Sequence, residues 1–340
     1  MERVDDKGLL KFELPSHILG AVGCQNIEEY GRFQQHLVLL EDRARVAAYL
    51  SAIKSRPPGG VVVDVGAGTG LLSMLALQHG FEHAFLIEPS RKIAAYARHL
   101  ARLNGFEDRT TVIESTLEAV NLADLPDRID LVVSETLSAL LFGFGSWDAL
   151  SSLVPRLTRP DAIIPLTGRL FAAPTGKHLS SRTPTSDGLA LLSEMGLKVD
   201  LFERTFRSGG NVFDKGPISR KIATGELKAQ CIGRFDMLSS RGYIDLPTAN
   251  FTFDENRTIV GLVSFWEVVL AAAVNPITLC SLDPSLTSWY PYYVPFREPF
   301  HLPVGSHMQI KMRLLPVDVP YKYAFQFVSR SKELTNVLYW

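Results

Sequence analysis

Cysteine is scarce: three residues in 340, at Cys24, Cys231 and Cys280. An odd number without metal-ligand spacing excludes a disulfide framework and a zinc site, and no metal is expected; the composition fits a reducing, cytoplasmic compartment. An excess of charge of either sign is absent too. With 35 basic and 36 acidic residues the formal net charge is −1, and no run of lysine or arginine offers a footprint for a phosphate backbone, so nucleic acid is not an expected partner. Apolar runs of membrane-spanning length are missing, the longest lying near Val268 to Val274. Met1 to Lys7 is charged where a signal peptide would be apolar. A soluble protein with no membrane partner is expected. The sequence also shows no internal repeat and no low-complexity segment.

What is present is an apolar supply large enough for a sizeable core, 46% of the residues, on a chain whose length suggests two domains. The most informative stretch is Gly60 to Gly70, Gly-Val-Val-Val-Asp-Val-Gly-Ala-Gly-Thr-Gly. Val61, Val62, Val63 and Val65 read as a strand buried on both faces of a parallel sheet. Gly66, Gly68 and Gly70 then let the backbone turn tightly and lie against a ligand, with a helix starting near Thr69. A dinucleotide fold spaces its glycines G-x-G-x-x-G. Here the third glycine comes one residue early, and Asp64 precedes the first by two. That carboxylate opposes phosphate and suits a cationic or amine-bearing ligand. Glu88 ends a second apolar run, Ala84-Phe85-Leu86-Ile87, where an acid can accept both hydroxyls of a ribose. A nucleoside without phosphates meets these demands, and S-adenosylmethionine meets all of them.

Residues 1–30 read as a lead-in with little periodicity. From Phe33 apolar residues recur at helical spacing (Phe33, Leu37, Leu40, Ala44, Ala47, Ala48) until Pro57-Pro58. Arg43 and Arg45 lie in this helix, and as a bare pattern they fit a solvated face. After the glycine loop, helices are expected over Leu71 to His79 and Arg91 to Leu103, and strands over His83 to Glu88, Thr111 to Ile113 and Ile129 to Val133, a doubly wound α/β arrangement. The last of these strands delivers Ser134-Glu135 to the ligand-binding edge, where Glu135 is either the catalytic carboxylate or the cap of a following helix. Near Pro160 the composition shifts to β-branched and aromatic residues with turn signals, which predicts an antiparallel barrel or sandwich. Asp187 to Met195, with Leu189, Leu191 and Leu192, reads as a helical excursion from it.

Taken in order and spacing, these residues resemble the protein arginine methyltransferase family over nearly the whole chain. His36-Leu-Val-Leu-Leu-Glu-Asp42-Arg-Ala-Arg45-Val-Ala-Ala-Tyr49 is similar to that family's N-terminal helix, H-x-x-M-L-x-D-x-x-R-x-x-x-Y, with leucine for methionine. Val63 to Gly70 and Glu88 match its cofactor motifs, and Leu157 to Pro165 matches the strand leading into its β-barrel. The resemblance implies a class I methyltransferase: a Rossmann-like sheet over residues 31–163, then a β-barrel over 164–340 with a helical dimerisation arm at about 186–215, assembled as a homodimer. It implies S-adenosyl-L-methionine held by Arg45 at the methionine carboxylate, by Asp64, Gly66, Gly68, Gly70 and Glu88, and by Glu118 at the adenine. It also implies Tyr30 as an active-site tyrosine, although Asn26-Ile27 stand where the preceding Tyr-Phe would be.

The departures fall on the acceptor. The family holds a guanidinium between two glutamates, S-E followed nine residues later by E, because paired carboxylates match the planar fork of donors. Ser134-Glu135 supplies the first. Phe144 or Gly145 stands at the second, and Asp148 is the one acid nearby. The family's Thr-His-Trp is Thr287-Ser288-Trp289, so the histidine that pairs with a carboxylate in relatives is gone. The following Tyr290 to Tyr293 is aromatic, either lining the cleft or filling the core. The resemblance therefore implies an N-methyltransferase acting on an arginine guanidino group, protein-borne or free, through Glu135, Tyr30 and Asp148, with Phe144, Ser288 and Trp289 near the substrate. A small-molecule N or O nucleophile, or a catalytically silent relative, is the alternative.

Overall fold

The computed structural model describes residues 2–4, 10–12, 33–142, 146–177, 179, 194, 210–212, 214–239, 244–272, 274–315, 322–329 and 332–338. A short antiparallel pair, β1 (Glu2–Val4) and β2 (Leu10–Phe12), is followed by two helices, α1 (Phe33–Glu41) and α2 (Arg43–Lys54). The periodicity from Phe33 predicts a single helix here, and the structure divides it at Asp42. The Asp42 side chain accepts the N–H of Arg45 at 3.0 Å as the N-cap of α2. A carboxylate that takes up a free N–H of the first turn starts a helix, while the apolar spacing runs on across the break and so hides it.

Five strands, β3 (Val61–Val65), β4 (His83–Ile87), β5 (Thr110–Ile113), β6 (Leu131–Ser134) and β7 (Ile163–Ile164), form a parallel sheet in the order β5-β4-β3-β6-β7. The helices α3 (Leu71–His79) and α4 (Arg91–Leu103) make the first two crossovers. This is the Rossmann-like half of the expected fold. The chain steps outward from β3 to β5 and then returns to the other side of β3, so the gap between β3 and β6 is the topological switch point at which such sheets bind ligands. Register fixes what projects there. Val65 lies opposite Ile87 on one side and Ser134 on the other, so Gly66, Glu88 and Glu135 all leave the sheet at one edge.

Beyond a short helix, α5 (Ser146–Ser151), the chain passes through the cis Ile164–Pro165 peptide into an antiparallel region. In order come β8 (Thr167–Thr175), β9 (Gly210–Asn211), the helix α6 (Gly216–Ala223), β10 (Gln230–Asp236), β11 (Ile244–Asp245), β12 (Ala249–Thr252), β13 (Arg257–Ala271), β14 (Ile277–Cys280), β15 (Tyr292–Leu302), β16 (His307–Leu315), β17 (Lys322–Ser329) and β18 (Lys332–Leu338). One sheet runs β11-β10-β8-β13-β15-β9 with β14 beside β13, and a second runs β12-β16-β17-β18. The expected antiparallel half is thus present as two sheets. No backbone ladder among the described residues joins the two, and the link between them is the Gln230 side chain of β10, whose Oε1 accepts Asn250 N of β12 at 2.8 Å and whose Nε2 donates to Asn250 O. Apart from Glu194, the excursion at Asp187 to Met195 lies outside the described residues.

One apolar cluster spans both halves, from Val63 and Leu86 on the parallel sheet through Phe142 to Phe235 and Trp266 on the antiparallel one. Phe142 meets Phe235 edge to face at 6.4 Å between ring centroids. Side chains that cross between the halves therefore do so over a packed base.

Candidate active site

The glycine loop follows β3 at the switch point. Gly66, Gly68 and Gly70 have φ of 69°, 55° and 77°, a left-handed conformation that costs a residue with a Cβ about 1–2 kcal/mol. Space is short as well. A Cβ on Gly66 would come within 2.5 Å of Thr136 Cγ2, and one on Gly68 within 2.9 Å of the His36 ring, which α1 lays over the loop.

Four of the loop's donors are already used. Gly66 N and Ala67 N donate to Ile87 O, Gly68 N to Glu88 Oε2 at 2.9 Å, and Gly70 N to Ala67 O. A phosphate nest needs such N–H groups turned toward the ligand, and these four are turned back into the protein.

Asp64 explains part of this shape. It is buried, and its Oδ2 accepts both Ser73 Oγ at 2.7 Å and Ser73 N at 3.2 Å, capping the first turn of α3 from the strand below. Burial raises its pKa to about 7, against the lowering effect of the two Ser73 bonds. Glu88, at the end of β4, accepts Gly68 N through Oε2 and Ser90 N at 2.7 Å through Oε1. Burial raises this carboxyl above its ordinary value, and the two backbone donors partly reverse the shift. Each oxygen keeps a lone pair free for a further donor.

Opposite, α2 brings Arg45 to Glu135. Arg45 Nη1 lies 3.1 Å from Glu135 Oε2, Nη2 donates to Leu39 O, and the buried Nε has no protein partner. The other carboxylate oxygen, Oε1, accepts the indole N–H of Trp289 at 3.2 Å. Burial raises the Glu135 carboxyl, while the Arg45 charge and the Trp289 bond pull it back. Tyr49, one turn beyond Arg45, donates its hydroxyl to Ser134 O at 3.1 Å and fixes the strand end that carries Glu135.

The segment after Glu135 closes a turn between Ser138 and Leu141, where Leu141 adopts φ 68°. A leucine there is strained by about 1–3 kcal/mol, and its fully buried side chain holds it in place.

The antiparallel half contributes the segment Asp283 to Trp289. Asp42 Oδ2 accepts Thr287 N and Ser288 N, each at 2.9 Å, and Ser288 Oγ at 2.6 Å. Burial alone would raise Asp42, but the bonds from Ser288, Arg45 and Thr287 bring its pKa below the ordinary value. Trp289 packs edge to face on Trp266 at 5.5 Å. Tyr292 and Tyr293 are buried at 1% exposure, which assigns those two rings to the core.

The structure thus brings Arg45, Asp64, Gly66, Gly68, Gly70, Glu88, Glu135, Ser288 and Trp289 to one edge. Glu118 is exposed on the turn after β5. Asp148 lies on α5, while Tyr30 and Phe144 fall outside the described residues. Sequence reasoning missed three participants. His36 and Asp42 sit inside a motif used for alignment, and their contacts are made with Gly68 and with a segment 245 residues away. Lys215, in an Asp-Lys-Gly-Pro turn that reads as surface, carried no signal.

No family model matches the chain. Among curated proteins it is similar to the probable histone-arginine methyltransferase 1.4 of Arabidopsis thaliana, 26% identical over 297 residues, which are 84% of this chain and 55% of that protein. It spans only about a quarter to a half of the length of the curated relatives it matches first, 27% and 55%. Among solved structures, protein arginine methyltransferase 10 of Arabidopsis thaliana, in an open conformation, superposes with a TM-score of 0.68 at 18% identity, covering 92% of this chain and 98% of that one. The PRMT1 enzyme–prozyme heterotetramer of Trypanosoma brucei with AdoHcy gives 0.66 at 17%, covering 91% and 98%. These two likenesses concern the fold, and the curated matches concern the sequence. The chain is thus similar in sequence to curated arginine methyltransferases and shares its fold with two solved ones.

Proposed function

We propose that this protein is an S-adenosylmethionine-dependent N-methyltransferase whose acceptor is an arginine guanidino group, and that Arg45, Glu88 and Glu135 divide the work. The observation that carries the reading is the state of Arg45: a buried guanidinium at the switch point with one nitrogen on Glu135 and Nε still without a partner. A buried donor left unsatisfied costs about 1–3 kcal/mol, and a ligand carboxylate removes that cost. The cofactor fits the other residues as well. Glu88 has lone pairs for ribose hydroxyls, the glycine loop turns four of its N–H groups back into the protein, and Asp64 caps the helix that follows the loop. S-adenosylmethionine, when bound, supplies a methyl group activated by its sulfonium. The relation to arginine methyltransferases, and the AdoHcy bound in the trypanosomal complex, support the same choice of cofactor.

Toward the acceptor, Glu135 presents a single negative charge. A guanidinium is protonated up to about pH 12 and its proton must leave as the nitrogen attacks. Glu135 accepts hydrogen bonds from the acceptor's other nitrogens, localises positive charge away from the attacking one, and holds its lone pair in line. By the resemblance, Tyr30, Asp148 and Phe144 are the further candidates at the acceptor, and Glu118 serves the adenine. We also infer a homodimer built through the segment near 186–198, whose leucines need a partner surface, and a cytoplasmic location. Among the described residues no helix is long and apolar enough to cross a membrane.

The test is transfer of labelled methyl from S-adenosylmethionine to arginine-bearing proteins and to free guanidines, with the methylated nitrogen identified by mass spectrometry. Label on a guanidino nitrogen supports the reading. Label only on another N or O nucleophile overturns the acceptor, and no S-adenosylhomocysteine binding by calorimetry overturns the cofactor. Light scattering of the parent and of a chain lacking 186–198 tests assembly. A monomeric parent, or a dimer that survives the deletion, removes the arm.

A further inference from the structure

Trp289 is tied to Glu135 by one hydrogen bond, yet it stands on a segment held from two other directions by residues outside the acceptor. The turn Asp283 to Leu286 points two carbonyls at Lys215, whose Nζ donates to Leu286 O at 2.6 Å and Asp283 O at 2.8 Å and lies 4.8 Å from the centroid of the Tyr290 ring. Tyr290 in turn donates its hydroxyl to Thr287 O at 2.8 Å. Lys215 is buried, just before α6, and burial lowers its ammonium below the ordinary value while the charge of Asp42 acts the other way. Next along the chain, Thr287 and Ser288 are fastened to Asp42, three residues before Arg45. Trp289 follows directly and projects its indole N–H onto Oε1 of Glu135.

We infer that Lys215 and Ser288 are positioning residues that hold Trp289 against Glu135, so that this carboxylate keeps its orientation when the acceptor engages it. The inference rests on the methyltransferase reading for its catalytic consequence but not for its structural content. Glu135 has an Arg45 nitrogen on one oxygen and the Trp289 indole on the other. If the indole is released, the carboxylate can rotate about its terminal bond, whose torsional preference is broad, and its remaining lone pairs no longer aim where a guanidinium fork would meet them. Ser288 stands where the resemblance places a histidine. A serine hydroxyl does not titrate near neutrality, so here the contact with Asp42 carries position alone. Lys215 supplies the second fastening, as a donor to the carbonyls of Asp283 and Leu286 in the turn that leads into Thr287.

The experiment labels the tryptophan indoles with 15N and reads the Trp289 N–H resonance, identified by its loss in Trp289→Phe, in the full chain with S-adenosylhomocysteine. In Ser288→Ala and Lys215→Met the Trp289 resonance should move and its exchange with solvent should quicken at least fivefold, with the indoles other than Trp266, which packs on Trp289, unchanged. Ser288→Thr, which keeps the hydroxyl, should restore the parent signal. Turnover on an arginine-bearing peptide should fall about tenfold in Ser288→Ala, equivalent to losing one hydrogen bond's worth of orientation, with cofactor affinity within twofold of the parent. A Trp289 resonance unmoved in Ser288→Ala, or a Ser288→Thr as impaired as the alanine, overturns the inference. Should Lys215→Met fail to fold, the Ser288 pair decides. Because the indole signal needs no turnover, a parent that transfers no methyl group refutes the proposed function while this readout still judges the positioning.

Discussion

Arg45 and Glu135 form an ion pair at 3.1 Å between α2 and the end of β6, with side-chain exposures of 5% and 8%. Withdrawing two charges from water is costly, and such a pair persists only where other bonds complete it. Leu39 O and the Trp289 indole do so here. In the proposed function the pair would join the two ends of the chemistry, because one guanidinium would serve both the acceptor carboxylate and the carboxylate of a bound cofactor.

This double use gives a first prediction. Arg45→Lys keeps the charge but loses the planar fork, so it cannot hold two carboxylates in fixed directions. Calorimetry should show S-adenosylhomocysteine binding at least about tenfold weaker, which corresponds to about 1.4 kcal/mol. Methylthioadenosine, which lacks the amino-acid end, should bind parent and variant alike. Equal losses for both ligands would mean that Arg45 does not face the carboxylate.

Glu88 gives the second. Its oxygens accept Gly68 N and Ser90 N and have capacity left for two hydroxyls. Glu88→Ala should weaken S-adenosylhomocysteine binding by about 1.5–3 kcal/mol, the range for hydrogen bonds to a charged group. The 2′,3′-dideoxy analogue should lose no more than a few tenths of that on going from parent to variant. An unchanged affinity for the parent ligand would remove Glu88 from the ribose.

Asp64 gives a prediction about pH. Its folded-state pKa of about 7 lies above the ordinary carboxyl value, so between roughly pH 4 and 7 the folded protein holds a proton that the unfolded chain has released. The contribution to stability is therefore fully present below about pH 4 and is lost as pH rises through about 7, an effect on the order of 4 kcal/mol at most. Asp64→Asn stays neutral and keeps an oxygen for Ser73. Urea titrations across that window should show a flatter pH dependence for the variant than for the parent, and an identical slope would contradict the assignment.

Much of this site was legible because its determinants are local. The valine run, three glycines and an acid at the end of the next strand are each a few residues long, and parallel-sheet topology then forces Gly66, Glu88 and Glu135 to one edge. What was not legible depends on distance. The Trp289–Glu135 bond joins residues 154 apart and the Asp42–Ser288 bond residues 246 apart, and no spacing rule encodes them. The aromatic run at Trp289 to Tyr293 left core and cleft open, and the structure gives Tyr292 and Tyr293 to the core while Trp289 does both. The break at Asp42 was hidden by apolar periodicity that continues through it. Leu141 carries no turn signature, since its left-handed backbone is imposed by burial of its side chain.

The central claim is that Glu135 holds the acceptor while the glycine-loop edge holds the cofactor. Glu135→Gln keeps the size of the side chain and an oxygen for Trp289 but removes the charge. With methyl-labelled S-adenosylmethionine and an arginine-bearing protein substrate, turnover should fall about a hundredfold to a thousandfold, the usual loss for a preorganised electrostatic contact, while S-adenosylhomocysteine affinity stays within about threefold of the parent. A folded Glu135→Gln protein that transfers methyl groups within about threefold of the parent rate would contradict the account.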